Sequence, residues 1–452
     1  MSVATDVKKI ISSDGFKKYF SNTSWMLFGR LGQMVVTFLV TAYVARYLGK
    51  ADYGLLNYAR SIGTFFTMFM ALGLHSIVVR NLVANDVDKD RIIGTSLAMR
   101  MGASVLGLVG FFLAGPYLAA DTQEFWLIAI IIMGTTFQTL DVFDFYSQAK
   151  VQAHYTVKVR MASIIGMAMM QLSLIYLEAD LIWFAISVTA STLFIGLGLT
   201  TVYQVKFGSL FKLRIDPSYM KELLKDSWPL IFSDLVVVLY MSTDKIMLKT
   251  MISEEAVGTY SAALRFSEVW YFLGPMVAAS LFPAIMNAKK RDPLLYKRRL
   301  QNYYNLMVVA ALGITIPVAL LGPWALQLPF LFGDEYADAG GVLVIHIWTL
   351  VFIFLGVASS KHLVAENQQR MELIRTIIGA VVNIGLNFLL IPKYSVYGAA
   401  VATLISQAFA SYLGYLVSRK FWPVFIMQTK AIFLVDIIRR LAGKTETPSE
   451  GL

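Results

Sequence analysis

The sequence predicts an all-α, polytopic membrane protein of about twelve transmembrane helices in two six-helix lobes, with both termini facing the cytoplasm. Three observations carry that expectation. The 452 residues are 57% hydrophobic and 15% charged, against roughly 25% charged in an average soluble domain. Apolar runs of about 20 residues, long enough to cross a hydrocarbon core of roughly 30 Å, recur from Trp25 to Val417. The lysines and arginines gather in every second connection, as retention of basic residues on the cytoplasmic face requires. Helices satisfy their own backbone groups in lipid, and the alternating strands of a membrane β-barrel are not found.

In chain order, residues 1–21 are polar and amphipathic and contain no apolar core of a cleavable signal peptide. Val3, Val7, Ile10 and Ile11 give them the apolar face of a short interfacial helix carrying Lys8, Lys9, Lys17 and Lys18. Spans are expected at 22–44, 55–79, 92–118, 125–146, 161–177 and 181–203, which make an N-lobe over 22–203. A basic cytoplasmic linker broken by Pro217 follows at 204–227. A C-lobe over 228–418 holds spans at 228–250, 258–286, 302–322, 341–360, 374–391 and 398–418. With the N-terminus inside, the basic residues falling to outer loops are Arg46, Lys50, Lys249 and Lys393. One missed span would invert every later loop, so a bias that persists to the C-terminus requires an even number. Residues 419–452 read as an interfacial amphipathic segment, FIMQTKAIFLVDIIRR, and a polar tail, because a thirteenth span would bury Lys430 and Asp436. ADYGLLNYA at 51–59 echoes EAVGTYSAA at 255–263, each after an outward-going span, as in transporters built from repeats.

Several chemistries are excluded or unsupported. There is no cysteine, hence no disulfide and no thiol nucleophile. His75, His154, His346 and His362 lie far apart with no HExxH pattern, so no metal is expected. GKT at 443–445 lacks the Walker glycine, residue 438 being Ile438, which argues against an ATPase. The net charge of +10 is accounted for by topology and by anionic lipid headgroups, without nucleic acid.

Ionisable residues inside spans cost at least about 2.5 to 3.5 kcal/mol on insertion scales and are functional candidates by default. Arg30, Gln33, Thr37 and Thr41 form one polar stripe, and Arg60, Thr64, Thr67 and Ala71 another. Facing one another they would line a hydrated cavity. Arg100, Lys245 and Arg265 add further positive charge, and Asp141, Asp144, Asp234, Asp244 and Glu268 oppose it as coupling or gating candidates. Arg265 and Glu268 are spaced as an i, i+3 pair. A cationic lining suits a phosphorylated substrate, since arginine pairs with phosphate oxygens bidentately. Structural readings stand beside these: Arg30 and Arg100 are placed to snorkel to the cytoplasmic surface, and Asp141 and Asp144 to sit at the water interface.

YVARYLGKADYGLLNYARSI at 43–62 and LGLHSIVVRNLV at 72–83 resemble the N-terminal signature of Wzx-type polysaccharide (O-antigen) repeat-unit flippases. Residues 226–285, FGDEYADA at 332–339 and PKYSVYGAAVAT at 392–403 are similar to later parts of that family. The resemblance implies the multidrug/oligosaccharidyl-lipid/polysaccharide exporter superfamily, a central cationic cavity, and undecaprenyl-pyrophosphate-linked oligosaccharide as cargo. It also implies an inner-membrane transporter rather than an enzyme, with a polysaccharide polymerase and a chain-length regulator as partners. Arg60 and Asp244 fall where such proteins carry charge, whereas Lys245 stands where a neutral polar residue is expected. No cofactor is expected; H+ or Na+ coupling, or the membrane potential, would supply the energy. The rivals are a cation-coupled multidrug exporter of the same superfamily, against which five basic in-span residues count, a polytopic glycan polymerase or ligase, which would need a larger outer loop, and a structural subunit of a glycan-assembly complex, in which the charged stripes would be packing contacts.

Overall fold

The computed structural model describes residues 14–84, 88–366, 368–436 and 438. The amphipathic face expected at Val3 to Ile11 and the tail from 439 onward lie outside the described residues. Among the described residues the chain is helical throughout, without strands. Fifteen α-helices follow in order: α1 (Asp14–Ala71), α2 (Leu74–Ala84), α3 (Lys89–Leu118), α4 (Thr122–Phe137), α5 (Val142–Ala149), α6 (Ala153–Tyr176), α7 (Leu181–Lys206), α8 (Pro217–Met251), α9 (Glu254–Glu268), α10 (Leu273–Arg291), α11 (Pro293–Leu326), α12 (Ala339–His346), α13 (Thr349–Ala365), α14 (Gln369–Ser411) and α15 (Trp422–Ile432).

Each of the twelve expected spans falls within this helical framework. Nine stretches of the described residues are long and apolar enough to cross a membrane. Two of these, Leu31–Ala84 and Arg370–Ser411, run to 54 and 42 residues, roughly twice what a bilayer needs at 1.5 Å per residue. Each is interrupted, the first at Gly49 (φ 72°, ψ 174°) and the second at Ser395 (φ 48°). Gly49 takes a positive φ that a Cβ would penalise. The expected seventh span falls in α8, which is not among those nine. Large apolar side chains such as Leu106, Leu113 and Leu320 are 71–75% exposed. In a chain whose solvent is lipid, that outward apolar face is the expected surface.

The chain divides into two compact units, Met1–Ser242 and Thr243–Leu452. In the first, α1 packs on α4 and α6, and α7 packs on α4 and α6. One of its cores gathers Leu74, Val78, Ile93, Phe143, Tyr203 and Leu223. In the second, α11 runs beside α10, α12, α13 and α15, while α14 lies along α13 and α12. There Tyr260, Tyr304, Phe332, Tyr336 and Phe354 are fully buried. The C-terminal α15 is held by Gln428, wholly buried, which donates to Ser359 Oγ at 2.6 Å and to the Ser411 carbonyl at 2.9 Å. Gln301 donates to the Met427 carbonyl at 3.0 Å, and Tyr412 stacks on Phe425.

The 204–227 connection is docked on the first unit. Gly94 of α3 admits its backbone so closely that a Cβ there would lie 2.5 Å from the Arg214 carbonyl oxygen. Arg214 N–H donates to the Asp90 carbonyl, Asp216 N–H donates to Thr95 Oγ1, and Arg91 pairs with Asp216 at 2.7 Å. Asn81 donates to Tyr219 Oη at 2.8 Å, and Arg80 pairs with Asp226 at 3.1 Å. Asp216 ends the connection by accepting from the Ser218 hydroxyl and the Ser218 and Tyr219 N–H groups, opening α8.

The Ser218 hydroxyl bond to Asp216, aided by the Tyr219 N–H, holds that carboxyl down at about 2. A carboxyl lowered in the folded state contributes stability above its unfolded value that is lost as pH falls through its folded value. We therefore expect the hydrogen-exchange protection factors at residues 210–220 of the protein in nanodiscs, corrected for the intrinsic rate at each pH, to stay high at neutral pH and fall as pH drops from about 4 toward 2. Asp216→Asn removes that step; a step of the same size in the variant would contradict the assignment.

Candidate ion site and intramembrane charge lattice

The second unit carries a buried polar site around Asp244. Asp244 on α8 is 5% exposed, and Tyr260, Asn383, Asn387 and Ser406 around it are fully buried. Its Oδ1 accepts from Asn387 Nδ2 at 2.6 Å. Its Oδ2 accepts from Tyr260 Oη at 2.8 Å and from Thr403 Oγ1 at 2.6 Å. Asn387 also donates to Asn383 Oδ1 at 3.1 Å, and Asn383 donates to Ser406 Oγ at 3.4 Å. Asn383 and Asn387 are one turn apart on α14 and so share a face. Thr403 lies on the same helix beyond the Ser395 break, with its hydroxyl also within reach of the Ala399 carbonyl at 3.0 Å.

A carboxylate in a low-dielectric interior is costly unless its lone pairs are satisfied, and three donors converge on this one. Asn387 Oδ1, however, is buried with no hydrogen-bond partner among the described residues. The site is thus made of one carboxylate and neutral amide, hydroxyl and carbonyl oxygens, with one acceptor left over. That composition suits a hard, singly charged cation or a proton. Nearby, His346 of α12 is 2% exposed and meets Ser267 Oγ at 2.8 Å through Nδ1, with the Tyr260 ring edge-on at 6.1 Å.

The first unit solves the same problem with an ionic lattice. The helix of the fourth span is broken by a 3-10 turn at Gln138–Asp141 between α4 and α5. Departure from α geometry frees a carbonyl there, and Gln138 O accepts from Arg100 Nη2 at 3.0 Å. Arg100 is 5% exposed, with the Phe145 ring 5.5 Å from its guanidinium carbon. Arg160 of α6 reaches both Asp141, at 3.2 Å, and Asp144, at 3.4 Å. Asp144, 6% exposed, also accepts from Thr156 Oγ1 and from Gln148 Nε2. Gln148 Oε1 lies 3.0 Å from His75 Nε2.

The expected site residues are divided between the two units. Arg100 is packed inside the first unit, neither lining an open cavity nor snorkelling, because the carbonyl released by the 3-10 turn and the Phe145 face capture it. Asp144 is buried in the lattice and does not cap an interface. Arg60 is half-buried, and Thr64 bonds back to its carbonyl at 2.9 Å. Thr67 bonds likewise to the Gly63 carbonyl. Gln33 and Thr64 are exposed and Thr37 half-buried. The Arg30 side chain lies outside the described residues. Asp234 is exposed on α8, Lys245 is half-buried, and Arg265 and Glu268 are half-buried on α9. No ion pair joins Arg265 to Glu268 among the described residues, although both lie on α9. Sequence reasoning found Asp244 but missed Tyr260, Asn383, Asn387 and Thr403. The available signal was a pair of asparagines at i, i+4 inside an otherwise apolar span.

Comparison with known proteins gives one family context. The model of the family described as polysaccharide biosynthesis protein matches residues 20–289, and that of lipid II flippase MurJ matches 157–444. A probable low-salt glycan biosynthesis flippase, Agl15 of Haloferax volcanii, is 26% identical over 190 residues, 40% of this chain and 39% of that protein. The chain thus spans well under half of that relative. The capsular polysaccharide biosynthesis protein CapF of Staphylococcus aureus is 20% identical over 85% of this chain and 96% of its own length. Among solved structures, the lipid II flippase MurJ in an inward closed conformation superposes with TM-score 0.72 and 15% identity, covering 95% of this chain and 94% of that one. The DinF-BH multidrug transporter superposes with TM-score 0.59 and 16% identity, over 91% and 96%.

Removing the Asn387 donor leaves a buried carboxylate oxygen unsatisfied, which costs about 1 to 3 kcal/mol. Asn387→Leu should accordingly lower the thermal midpoint of the purified protein in detergent. An unchanged midpoint would show that Asp244 is not held as described.

Proposed function

This chain belongs to the polysaccharide biosynthesis protein family, and we propose that it is a flippase for lipid-linked oligosaccharide of the multidrug/oligosaccharidyl-lipid/polysaccharide exporter superfamily. Its cargo in this reading is an undecaprenyl-pyrophosphate-linked repeat unit, moved from the cytoplasmic to the outer leaflet of the cytoplasmic membrane by alternating access. The family-model matches, which together run from residue 20 to 444, carry the reading. It needs no covalent chemistry, so the chain acts as a transporter. A polymerase and a chain-length regulator would take the product onward.

The residues divide the labour. Arg30, Arg60, Lys245 and Arg265 supply positive charge to the pyrophosphate, with arginine offering paired donors to its oxygens. Arg100, Asp141 and Asp144 are committed to the lattice of the first unit and are assigned to holding the broken fourth span in place. Asp244 with Asn387, Asn383 and Thr403 is the coupling site, taking up Na+ or H+. Asn387 Oδ1 would be one of the oxygens facing such a cation in this reading. Asp234 and Glu268 offset the positive charge of their helices. Energetics favour export: moving about two negative charges outward through an inside-negative potential releases roughly 4.6 kcal/mol per 100 mV. A multidrug exporter of the same fold would need an acidic site for cationic drugs, which the basic in-span residues oppose.

Neutralising Arg30 and Arg60 together, as Arg30→Gln and Arg60→Gln, should abolish surface glycan in cells that depend on this chain while leaving its membrane abundance unchanged. Wild-type glycan export by the double variant would remove the cationic-site assignment.

A further inference from the structure

A pocket of about 560 Å³ opens on the first unit. Tyr47 and Asp52 bracket it from α1, Gln123 from the start of α4, and Ala179 and Asp180 from the turn between α6 and α7. The sequence places all three of these chain segments in outer loops, and the fold brings them to one spot. The pocket is built by specific devices. Gly49 redirects α1 between Tyr47 and Asp52, and Glu178 takes φ 51° to turn α6 into α7. Tyr47 Oη donates to the Ala179 carbonyl at 3.0 Å, and its ring tilts against Phe184 at 5.6 Å. At the head of α4, Asp121 caps the helix by accepting from Glu124 N–H, which fixes where Gln123 stands. Asp180 occupies the matching position before α7 but makes no capping bond, so its carboxylate is not consumed by its own helix.

We propose that this pocket is an outer-face binding site for the sugar portion of a glycan, neutral or amine-bearing but not acidic. The inference rests on the flippase reading for its physiological meaning, though the site itself is argued from its lining. Two carboxylates offer only acceptors, and the Gln123 amide offers both donor and acceptor. A ligand matching an acceptor-rich wall must bring many donors, which a polyhydroxylated ring does. A phosphate or uronate brings negative charge toward Asp52 and Asp180 and is repelled. The volume falls within the roughly 300 to 1,000 Å³ common for small-molecule sites. Such a site would hold the emerging sugars on the outer side while the pyrophosphate is released elsewhere.

The test uses the full-length protein in nanodiscs and soluble oligosaccharides, with saturation-transfer NMR and calorimetry as readouts. Maltotriose and chitotriose are the neutral probes, chitosan trimer the amine-bearing one and a galacturonate trimer the acidic one. Saturable binding of a neutral or amine-bearing probe, with the acidic probe at least tenfold weaker, is expected. Gln123→Ala with Asp180→Ala should weaken that binding tenfold or more. Asp180→Asn, which keeps an acceptor, should retain most of it and guards against misfolding of the double variant. No saturable binding by any probe, binding unchanged in the double variant, or preference for the acidic probe would overturn the proposal. Translocation by the wild-type protein without saturable binding of any probe would sink this site alone, whereas sugar binding without any translocation would sink the flippase reading alone.

Discussion

In hydrocarbon every polar group must find its partner inside the protein, because no water is available to replace a missing one. That constraint fixes the helices, since only they satisfy their own backbone in isolation, and it governs each interruption of them. Where the fourth span leaves α geometry at 138–141, the freed Gln138 carbonyl is met by Arg100. Next to that carbonyl along the chain, Asp141 shares Arg160 with Asp144. A local backbone irregularity is thus stabilised by an ionic lattice drawn from α3, α5 and α6. Removing one member of a buried charge set is far more damaging than its net contribution suggests, because the remaining charge is stranded.

The second unit meets the same constraint with neutral groups. Asp244 is surrounded by two asparagines, a tyrosine and a threonine, with no guanidinium among its hydrogen-bond donors. The difference bears on mechanism. A carboxylate neutralised by arginine has little affinity left for a cation, while one held by amides and hydroxyls keeps its charge available. The Ser395 break in α14 belongs to this arrangement: Asn387 lies before it and Thr403 after it, so one long helix contributes to the site from both sides of its kink.

Most of the fold is legible from the residues, because length and apolarity alone specify a membrane helix. The expected spans fall largely in helices, several of them crossing breaks such as 72–73, 138–141 and 269–272, and the basic, Pro217-broken connection stands out as a separate segment. Its docking is not legible: it depends on Gly94 leaving room for Arg214, a close approach with no pattern in the chain. The site is legible only in its charges. Asp244 draws attention as an acid in a span, but Asn383, Asn387, Thr403 and Tyr260 are neutral and pass as ordinary interior residues. Asp144 and Arg160 are sixteen positions apart on different helices, so no periodicity links them. Arg265 and Glu268 show the converse: both lie on α9 at i, i+3, yet no ion pair joins them among the described residues.

The central claim is that this chain alone moves a lipid-linked oligosaccharide and that Asp244 couples the movement to a cation. The most direct measurement is transfer of a radiolabelled polyprenyl-pyrophosphate oligosaccharide between leaflets of proteoliposomes containing only this protein. An Na+ or H+ gradient and an inside-negative potential would be imposed in turn. The account predicts transfer that accelerates with the potential and with one of the two gradients, with the gradient dependence lost in Asp244→Asn. Absence of transfer under every condition, alongside efflux of a cationic drug, would contradict it.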